Sequence, residues 1–396
     1  MGNFFAQIFA LTSFNLRTLP QRRGSAFSAI VGVAGVVAVL VGVLSISQGV
    51  RRTVKETGSP DAVIMMRAGA DTEMTSVIGR DDVNVIRETP GIAREGDSIL
   101  VSPELFVIIN LPKRSTGTDA NVPFRGVEST AFQVRDGVEV VEGRMFEWGR
   151  NEVIAGRGAL LEFSGLDIGS SLRLGQNEWT VVGVFESNGG LEESEIWTDA
   201  AVLQPAYRRG SSYQSALVKL ASAGSYEQFK DALTVDPRAN FKIQRVSEYY
   251  ASQSRALNLT VTVLGTLVAG LMGLGAIFGA LNTMYTAVAA RSREIATLKA
   301  LGFRGMPVIV SVIFESLVLS AVGGVIGALL AWAAFDGYRA ATLNWQSFAQ
   351  ITFAFDVNGP LLMQGIIYAM LIGLVGGLFP AIRAARLPIS VALRGD

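Results

Sequence analysis

The sequence predicts an integral membrane protein with four transmembrane α-helices and an α/β (α+β) extracytoplasmic domain, containing a β-rich subdomain, inserted after the first helix. Of the 396 residues, 49% are hydrophobic and only 17% are charged, whereas soluble domains contain about 25% charged residues. Four long runs nearly free of charge each reach the roughly 20 residues needed to cross the hydrocarbon core of a bilayer. The predicted spans are residues 26–50, 256–290, 305–335 and 357–382.

The segment before the first span, residues 1–25, is predicted to be cytoplasmic and to hold an amphipathic helix in the membrane plane. Its apolar residues fall mainly on one helical side, and Pro20 ends the pattern. They are Phe4, Phe5, Ile8, Phe9, Leu11, Phe14 and Leu16. The apolar run of the first span exceeds the 7–15 residues of a signal peptide. We therefore interpret it as a retained anchor.

Basic residues orient the bundle, because cytoplasmic loops carry an excess of Lys and Arg. Three segments on one predicted side of the membrane are rich in basic residues, and Glu294 and Asp396 are their only acidic residues. The basic residues are Arg17, Arg22 and Arg23; Arg291, Arg293, Lys299 and Arg304; and Arg383, Arg386 and Arg394. The opposite connection, 336–356, is predicted to be a short periplasmic loop. Both termini are therefore predicted to be cytoplasmic, although Arg51, Arg52 and Lys55 depart from the pattern.

The second charge-free run is longer than a bilayer requires. Its 35 residues, 256–290, would form a helix about 52 Å long against a hydrocarbon core of about 30 Å. The helix must tilt strongly or project from the membrane as a stalk. Glycine and other small residues recur in all spans, and several of them have the small-xxx-small spacing that lets helix backbones approach closely. They predict either packing within one chain or a dimer interface, at Gly32 and Gly35, Gly275 and Gly279, Gly323 and Gly327, and Gly373 and Gly377.

The insert, residues 51–255, is predicted to be an extracytoplasmic domain in which two α/β halves, 51–110 and 208–255, bracket a β-rich part, 111–207. Alternating apolar patterns and turn residues indicate its strands and helices. In the halves these are Asp61–Arg67, Arg80–Glu88, Ser98–Asn110, Ser212–Leu220, Tyr226–Leu233 and Phe241–Val246. In the β-rich part they are Glu152–Ile154, Ser171–Leu174 and Glu178–Val184. The acidic cluster Glu192, Glu193, Glu195 and Asp199 is interpreted as a solvated loop rather than a cation site.

Composition excludes several classes of function. The chain has no His and no Cys, which excludes histidine bases, thiol chemistry and His/Cys metal sites. Its 34 basic and 34 acidic residues give no basic stripe for nucleic acid. No Gly-Lys pair is present, so a phosphate-binding P-loop is missing in its usual form. We therefore predict a non-enzymatic chain without a cofactor of its own.

The most informative segment is the predicted cytoplasmic helix 291–304. An apolar edge, with Gly302 suited to the left-handed C-cap position, is surrounded by charges. The predicted functional residues are Arg291, Arg293, Glu294, Ile295, Leu298, Lys299, Leu301 and Gly302. So short a helix is marginal alone, and composition leaves open whether lipid headgroups or a protein cover it. Glu315 in the third span is either interfacial or the partner of a basic side chain inside the bundle.

This segment resembles the signature of the MacB/FtsX-like permeases of type VII ABC transporters, in which Arg-x-Arg-Glu-Ile followed by Leu-Lys-Ala-Leu-Gly forms the coupling helix. Further stretches that resemble the family are Ser47–Val50, Val141–Phe146, Val181–Val184, Pro380–Arg386 and Ala392–Arg394. The resemblance covers essentially the whole chain. It implies a bacterial inner membrane and a periplasmic insert, 51–255, whose halves 51–110 and 208–255 are porter-like. The sequence departs from the fused macrolide-exporter form of the family, which has an N-terminal ATPase domain. The ATPase is therefore expected to be a separate chain that binds ATP and Mg²⁺.

The resemblance implies a permease subunit that transmits ATPase motion to the periplasmic domain and thereby exports an envelope substrate. It also implies a second permease in a homodimer or heterodimer, a periplasmic adaptor, an outer-membrane channel and contact with membrane lipids. Two alternatives within the family are a lipoprotein-releasing permease and an FtsX-like signalling permease that activates a cell-wall hydrolase. A membrane enzyme or receptor independent of ATP is a further alternative.

Overall fold

The computed structural model describes residues 7–13, 23–175, 177–343 and 350–388. The chain divides into two compact units. The helical unit comprises Met1–Gln48, Leu259–Tyr338 and Phe355–Asp396, and the sheet unit comprises Gly49–Asn258 and Arg339–Ala354. The segment Arg339–Ala354, between the last two long helices, thus belongs to the same unit as the insert.

The helices and strands are numbered here in chain order. The first half contains α1 (Arg23–Glu56), β1 (Ala62–Arg67), α2 (Arg80–Glu88), β2 (Arg94–Glu95), β3 (Ser98–Ile99), β4 (Val101–Pro112), β5 (Asp119–Val127), α3 (Ala131–Val134), β6 (Val138–Gly143), β7 (Glu152–Gly156), α4 (Arg157–Glu162), β8 (Ser171–Leu174) and β9 (Asn177–Ser187). The second half contains β10 (Ile196–Asp199), α5 (Ala200–Ala206), β11 (Ser215–Lys219), α6 (Tyr226–Val235), β12 (Phe241–Arg245), α7 (Val246–Ala290), α8 (Ser292–Ala300), α9 (Gly305–Phe335), β13 (Arg339–Leu343), β14 (Gln350–Ala354) and α10 (Gly359–Arg386). Short 3₁₀ turns lie at Glu73–Thr75, Leu191–Ser194 and Ala223–Ser225.

In the part of the chain that the structure describes, four helices are long and apolar enough to cross a membrane. Together with the mixed α/β sheet unit they confirm the predicted fold class. Their spanning segments are Ala26–Glu56, Leu259–Ala290, Gly305–Phe335 and Gly359–Arg386. All four helices are longer than the roughly 30 Å of the hydrocarbon core. The two longest are α1, with 34 residues, and α7, with 45, or about 51 Å and about 68 Å of helix. The boundary between the units falls within each of them.

The predicted amphipathic segment at the N-terminus is described only in part. Residues 7–13 are helical, and the rest of the predicted helix lies outside the described residues. Leu11 is buried against Val288, Ile295 and Ala381 in an apolar cluster of the helical unit. The described part of this segment therefore packs on the bundle through at least one of its predicted apolar residues.

The eight glycines named above in the spans fall into two groups. One group supports packing within the chain, and the other stays available for the predicted dimer interface. A Cβ on Gly323 or Gly327 would collide with α1, and one on Gly373 or Gly377 would collide with α9. These glycines allow close packing within one chain. The other four have no atom within 4 Å of an ideal Cβ in the described part of the chain. A dimer interface at Gly32, Gly35, Gly275 and Gly279 stays a prediction.

Gly327→Val is expected to destabilise the helical unit by about 1–3 kcal/mol, a typical effect of overpacking. The new Cβ would lie 2.9 Å from the Cβ of Val37 and would also meet the carbonyl oxygen of Ala34. Unfolding of the full chain in mixed micelles, followed by tryptophan fluorescence, measures the change. Gly32→Val is the matched control on α1, where the space around the Cβ is open. Equal destabilisation by both variants would contradict this packing.

The sheet unit is built on one ten-stranded mixed sheet with the order β12-β1-β11-β4-β5-β10-β7-β9-β6, in which β8 also pairs with β9. The long strand β4 joins its two parts, since Val101–Glu104 pair with β11 and Leu105–Pro112 pair with β5. Buried apolar clusters lie in each part. One cluster surrounds Val63 and Phe229, and the other surrounds Phe124 and Trp179.

The segment between the last two long helices contains more structure than the predicted short loop 336–356. Strands β13 and β14 form an antiparallel hairpin in register from Arg339–Ala354 to Leu343–Gln350. The hairpin packs on the 3₁₀ turn Leu191–Ser194: Thr352 N donates to Ser194 Oγ at 2.9 Å, and the two hydroxyls are also 2.9 Å apart. A side chain on Gly158 would collide with Thr352, so the close approach requires glycine there.

The interpretation of the acidic cluster as a solvated loop is wrong. Glu192, Glu193, Glu195 and Asp199 are all buried, at 4–6% exposure. Glu195 forms a bidentate pair with Arg125, whose Nε and Nη2 each donate to a carboxylate oxygen at 2.7 Å. Glu193 accepts from the backbone N–H groups of Ser187 and Gly189 at 3.0 and 2.7 Å. The sequence pattern misled because alternating acidic residues carry no sign of the distant arginines that pair with them.

Candidate coupling site

The short helix α8 lies between the two spanning helices α7 and α9, as the sequence predicted for residues 291–304. Arg291 interrupts the helical path between α7 and α8, with φ −106° and ψ 8°. Gly302 follows the helix with φ +97°, the left-handed conformation that suits a C-cap glycine. These two residues explain why a separate helix of nine residues forms here.

The apolar edge of α8 faces the bundle. Ile295 is 7% exposed, and Leu298 and Phe303 are partly buried against the same cluster. Their neighbours include Val308 on α9 and Ala384 on α10. A helix too short to be stable alone is thus held by packing on its own chain, so Leu298→Arg would disturb the helical unit itself.

Arg291 is also turned inward. Its Nη1 donates to Glu315 Oε2 on α9 at 3.2 Å, and the two residues are 7% and 4% exposed. Of the two predicted positions for Glu315, the structure supports the partner of a basic side chain inside the bundle. Buried charges are stable in apolar surroundings only when they are paired, so this pair fixes the corner between α7 and α8 against α9.

Lys299 lies in the last turn of α8 and reaches the end of α10. Its Nζ donates to the carbonyl oxygens of Ala385 and Leu387 at 2.9 and 2.8 Å. The last carbonyl groups of a helix have no partner within the helix, and they carry the negative end of the helix dipole. The ammonium group of Lys299 therefore satisfies and stabilises the C-terminus of α10.

The remaining predicted residues form the exposed side of the segment. Arg293, Glu294, Leu301 and Gly302 are exposed, and Leu301 is 74% exposed. The face also includes the exposed Thr297. An exposed leucine on the same side of the segment as Arg293 and Glu294 is the kind of surface that a protein partner covers. We call Arg293, Glu294, Thr297, Leu301 and Gly302 the outer face of α8.

Comparison with known proteins gives the family. Residues 26–235 match the model of the MacB-like periplasmic core domain, and residues 266–389 match the model of the FtsX-like permease C-terminal region. The chain belongs to the MacB/FtsX-like ABC permeases. The predicted family is confirmed, and α8 lies within the part matched by the FtsX-like model.

The similar proteins include fused and unfused relatives of this permease family. The macrolide export ATP-binding/permease protein MacB of Escherichia coli is 24% identical over 96% of this chain, and the match covers 60% of that protein. The chain thus spans about 60% of the length of the MacB relatives that it matches first. An uncharacterized ABC transporter permease of Methanocaldococcus jannaschii is 20% identical over 98% of both chains.

Two solved structures are similar to about half of this chain. The periplasmic region of MacB from Actinobacillus actinomycetemcomitans is 13% identical, covers 51% of this chain and 96% of its own, and has a TM-score of 0.36. The extracellular domain of the transporter YknZ is 16% identical, covers 46% of this permease and all of its own chain, and has a TM-score of 0.32.

Sequence reasoning placed α8 but could not divide its residues between the two faces. The division depends on Glu315 and on the end of α10, which are 24 and 86 positions away from the residues they contact. The helical period offered one signal: Arg291, Ile295 and Leu298 share one side, and Leu301 lies off it. Glu315 alone in an apolar run was the second clue, since a charge inside a span requires a partner.

Proposed function

We propose that this permease receives an ABC ATPase on the outer face of α8 and transmits its motion to the sheet unit, thereby exporting an envelope substrate. The observation that carries the proposal is the division of α8 into a side that is fastened to its own bundle and a side that exposes Leu301 among charges. A partner bound to this face would contact α8, which cannot move independently of the spanning helices on which it packs.

The orientation follows from the basic residues. The segment 291–304 around α8, the start of α1 and the end of α10 carry the excess of Lys and Arg that marks cytoplasmic segments. The permease would therefore lie in a bacterial inner membrane with both termini in the cytoplasm and the sheet unit in the periplasm. ATP and Mg²⁺ would bind to the ATPase, for which we propose a separate subunit.

The two longest helices support transmission of force. Helices α1 and α7 run past the helical unit, and their ends at Glu56 and Val246 belong to the sheet unit. Neither spanning segment carries a charged residue between Gly24 and Gln48 or between Leu259 and Ala290, and polar pathways through membranes usually contain ionisable groups. We propose that the substrate is handled in the periplasm by two permease copies, an adaptor and an outer-membrane channel.

Leu301→Glu tests this docking surface. The substitution places a charge at the centre of the proposed contact and is expected to reduce co-purification of the ATPase at least tenfold, equivalent to about 1.4 kcal/mol or more. Quantitative pull-down from membranes that contain both subunits measures it. Val235→Glu is the matched control, because it introduces the same charge at an apolar residue of the sheet unit that is 82% exposed.

Unchanged recovery of the ATPase with Leu301→Glu would contradict the proposed docking surface. Normal membrane insertion and an unchanged unfolding midpoint show that the variant is folded. Loss of the ATPase with both variants would also count against the proposal, because it would indicate a general effect of the added charge rather than a local contact.

A further inference from the structure

We infer that Arg291 and Lys299 are positioning residues that clamp α8 to α9 and α10, so that ATPase motion also reaches the sheet unit through the hairpin β13–β14. The inference rests on the proposed docking of an ATPase at α8. It adds a second route, distinct from α1 and α7, and assigns roles to two side chains that do not lie on the outer face.

The clamp has two polar ends and an apolar middle. At one end the guanidinium group of Arg291 binds Glu315 on α9, with both side chains less than a tenth exposed. At the other end Lys299 holds two carbonyl groups at the end of α10. Between them Ile295 packs in the cluster that contains Val312 of α9 and Ala381 of α10. Since all three contacts would break together, a force on α8 would carry α9 and α10 with it.

Helices α9 and α10 extend the packed contact along their lengths. Ser316 Oγ on α9 donates to the carbonyl oxygen of Gly373 on α10 at 2.7 Å, and both Gly373 and Gly377 leave no room for a side chain. Two helices in such close contact cannot slide past each other without losing their packing. They therefore act as one body from the clamp to their far ends.

The far ends of this pair continue into the hairpin. Where the helices end, Gly337 N donates to Phe355 O at 3.0 Å and Phe355 N donates to Tyr338 O at 2.9 Å. The rings of Tyr338 and Phe355 are in edge contact, with centroids 5.6 Å apart. This pairing lies immediately before β13 and immediately after β14, so the two strands leave the helices already paired.

The hairpin is in turn fastened within the sheet unit. Thr352 binds Ser194, and Gln350 and Ile351 line a cavity whose other walls include Arg125 and Glu195. Ser194 ends the turn that holds Glu192 and Glu193, and Glu195 follows it directly. The hairpin thus contacts the segment that joins β9 to β10. In the sheet these two strands lie on either side of β7.

The test uses the full permease with its ATPase in lipid nanodiscs and compares Lys299→Met with Lys299→Arg. Methionine keeps the length of the side chain without the charge, and arginine restores the cation. We expect Lys299→Met to retain the ATPase, because Lys299 is not on the outer face. We expect it to lower the permease-dependent ATP turnover at saturating ATP at least fivefold without raising the KM for ATP. Lys299→Arg should restore most of the turnover.

Hydrogen exchange of residues 350–354 measures an effect of ATP that would not depend on Lys299 if its role were only structural. In the unaltered complex, ATP should change the exchange rate of these amides at least threefold, and Lys299→Met should abolish the change. Glu315→Gln is the second variant and should have the same effect from the other end of the clamp.

An ATP response of the hairpin that persists in Lys299→Met and Glu315→Gln would overturn the inference. So would normal turnover in Lys299→Met, or failure of Lys299→Arg to restore the response. If the unaltered permease binds the ATPase but the hairpin does not respond to ATP, the second route is wrong while docking stands. If the unaltered permease binds no ATPase, both proposals fail.

Discussion

Replacing Arg125 with Gln is expected to destabilise the sheet unit by about 3–5 kcal/mol, the cost of removing one partner from a buried ion pair. Arg125 is 1% exposed. Its guanidinium group donates to three carboxylates: to Glu73 and Glu195 through two nitrogens each, and to Glu104 at 2.8 Å. Glutamine cannot supply these donors, and three carboxylates would lose their shared cation.

The effect should be large because Arg125 joins distant parts of the chain. It lies on β5, while Glu104 lies on β4, Glu73 on the turn after β1, and Glu195 just before β10. Phe106 lies under the guanidinium group, 4.9 Å from the ring centroid. One side chain therefore connects the two parts of the sheet unit that β4 joins.

Thermal unfolding of the full permease, followed by tryptophan fluorescence, measures this prediction. Trp197 is a suitable reporter because its Nε1 donates to Glu195 at 2.7 Å. The control is Arg238→Gln, which removes an arginine whose pairs with Glu88 and Asp236 lie at the surface, where ion pairs contribute at most about 1 kcal/mol. Similar losses in the two variants would contradict the central role of Arg125.

The second large effect is expected from pH. Burial raises the pKa of Glu192 to about 7, against the opposing attraction of Arg135. The contacts of this carboxylate are long: Arg135 Nε lies 3.9 Å away and Ser187 Oγ lies 3.5 Å away. The other charged groups that face it are Glu195 and Arg125. Burial thus outweighs pairing at Glu192, in contrast to Glu104, whose pKa is lowered by Arg135 and Arg125 despite its burial.

The direction of the pH dependence follows from the raised pKa. A folded state that binds the proton of Glu192 more tightly than the unfolded chain is stabilised at low pH. The free energy of unfolding should therefore fall as the pH rises from about 4.5 to about 7, by about 3 kcal/mol for this group. The lowered pKa of Glu104 acts in the opposite sense only below its ordinary range of about 4.5, so it does not mask the change.

Glu192→Gln is expected to remove most of this slope and to make the sheet unit more stable than the unaltered protein at pH 8. Unfolding midpoints at pH 5.5 and pH 8 measure the change, again through Trp197. Glu139→Gln replaces an exposed carboxylate of β6 and should leave the slope intact. A slope that survives Glu192→Gln would show that another group titrates.

Local patterns predicted much of the fold. Strand β8 and helix α2 were predicted with their observed ends, because turn residues and alternation specify such elements locally. The spans were predicted by length and absence of charge alone. The hairpin β13–β14 was missed, since its strands are short and their pairing depends on the turn at Ser194, more than 150 residues earlier in the sequence.

The buried charges explain what sequence reasoning could not reach. Glu104 and Glu73 stand in strand and turn segments where a charged residue usually faces water. Their burial depends on Arg125 and Arg135, and nothing local links these arginines to the carboxylates. In the coupling site, helical period predicted the short helix, whereas the inward turn of Arg291 and Lys299 depends on α9 and α10.

The most direct measurement of the central claim is hydrogen exchange of the sheet unit in a complex of the permease with its ATPase. A variant ATPase that binds but does not hydrolyse ATP would hold the complex in one state. If ATPase motion is transmitted from α8, ATP should change amide exchange within the sheet unit, which is formed by residues remote in sequence from α8. Leu301→Glu should abolish this change. Identical exchange of the sheet unit with and without ATP, while the ATPase is bound, would contradict the transmission of motion through this permease.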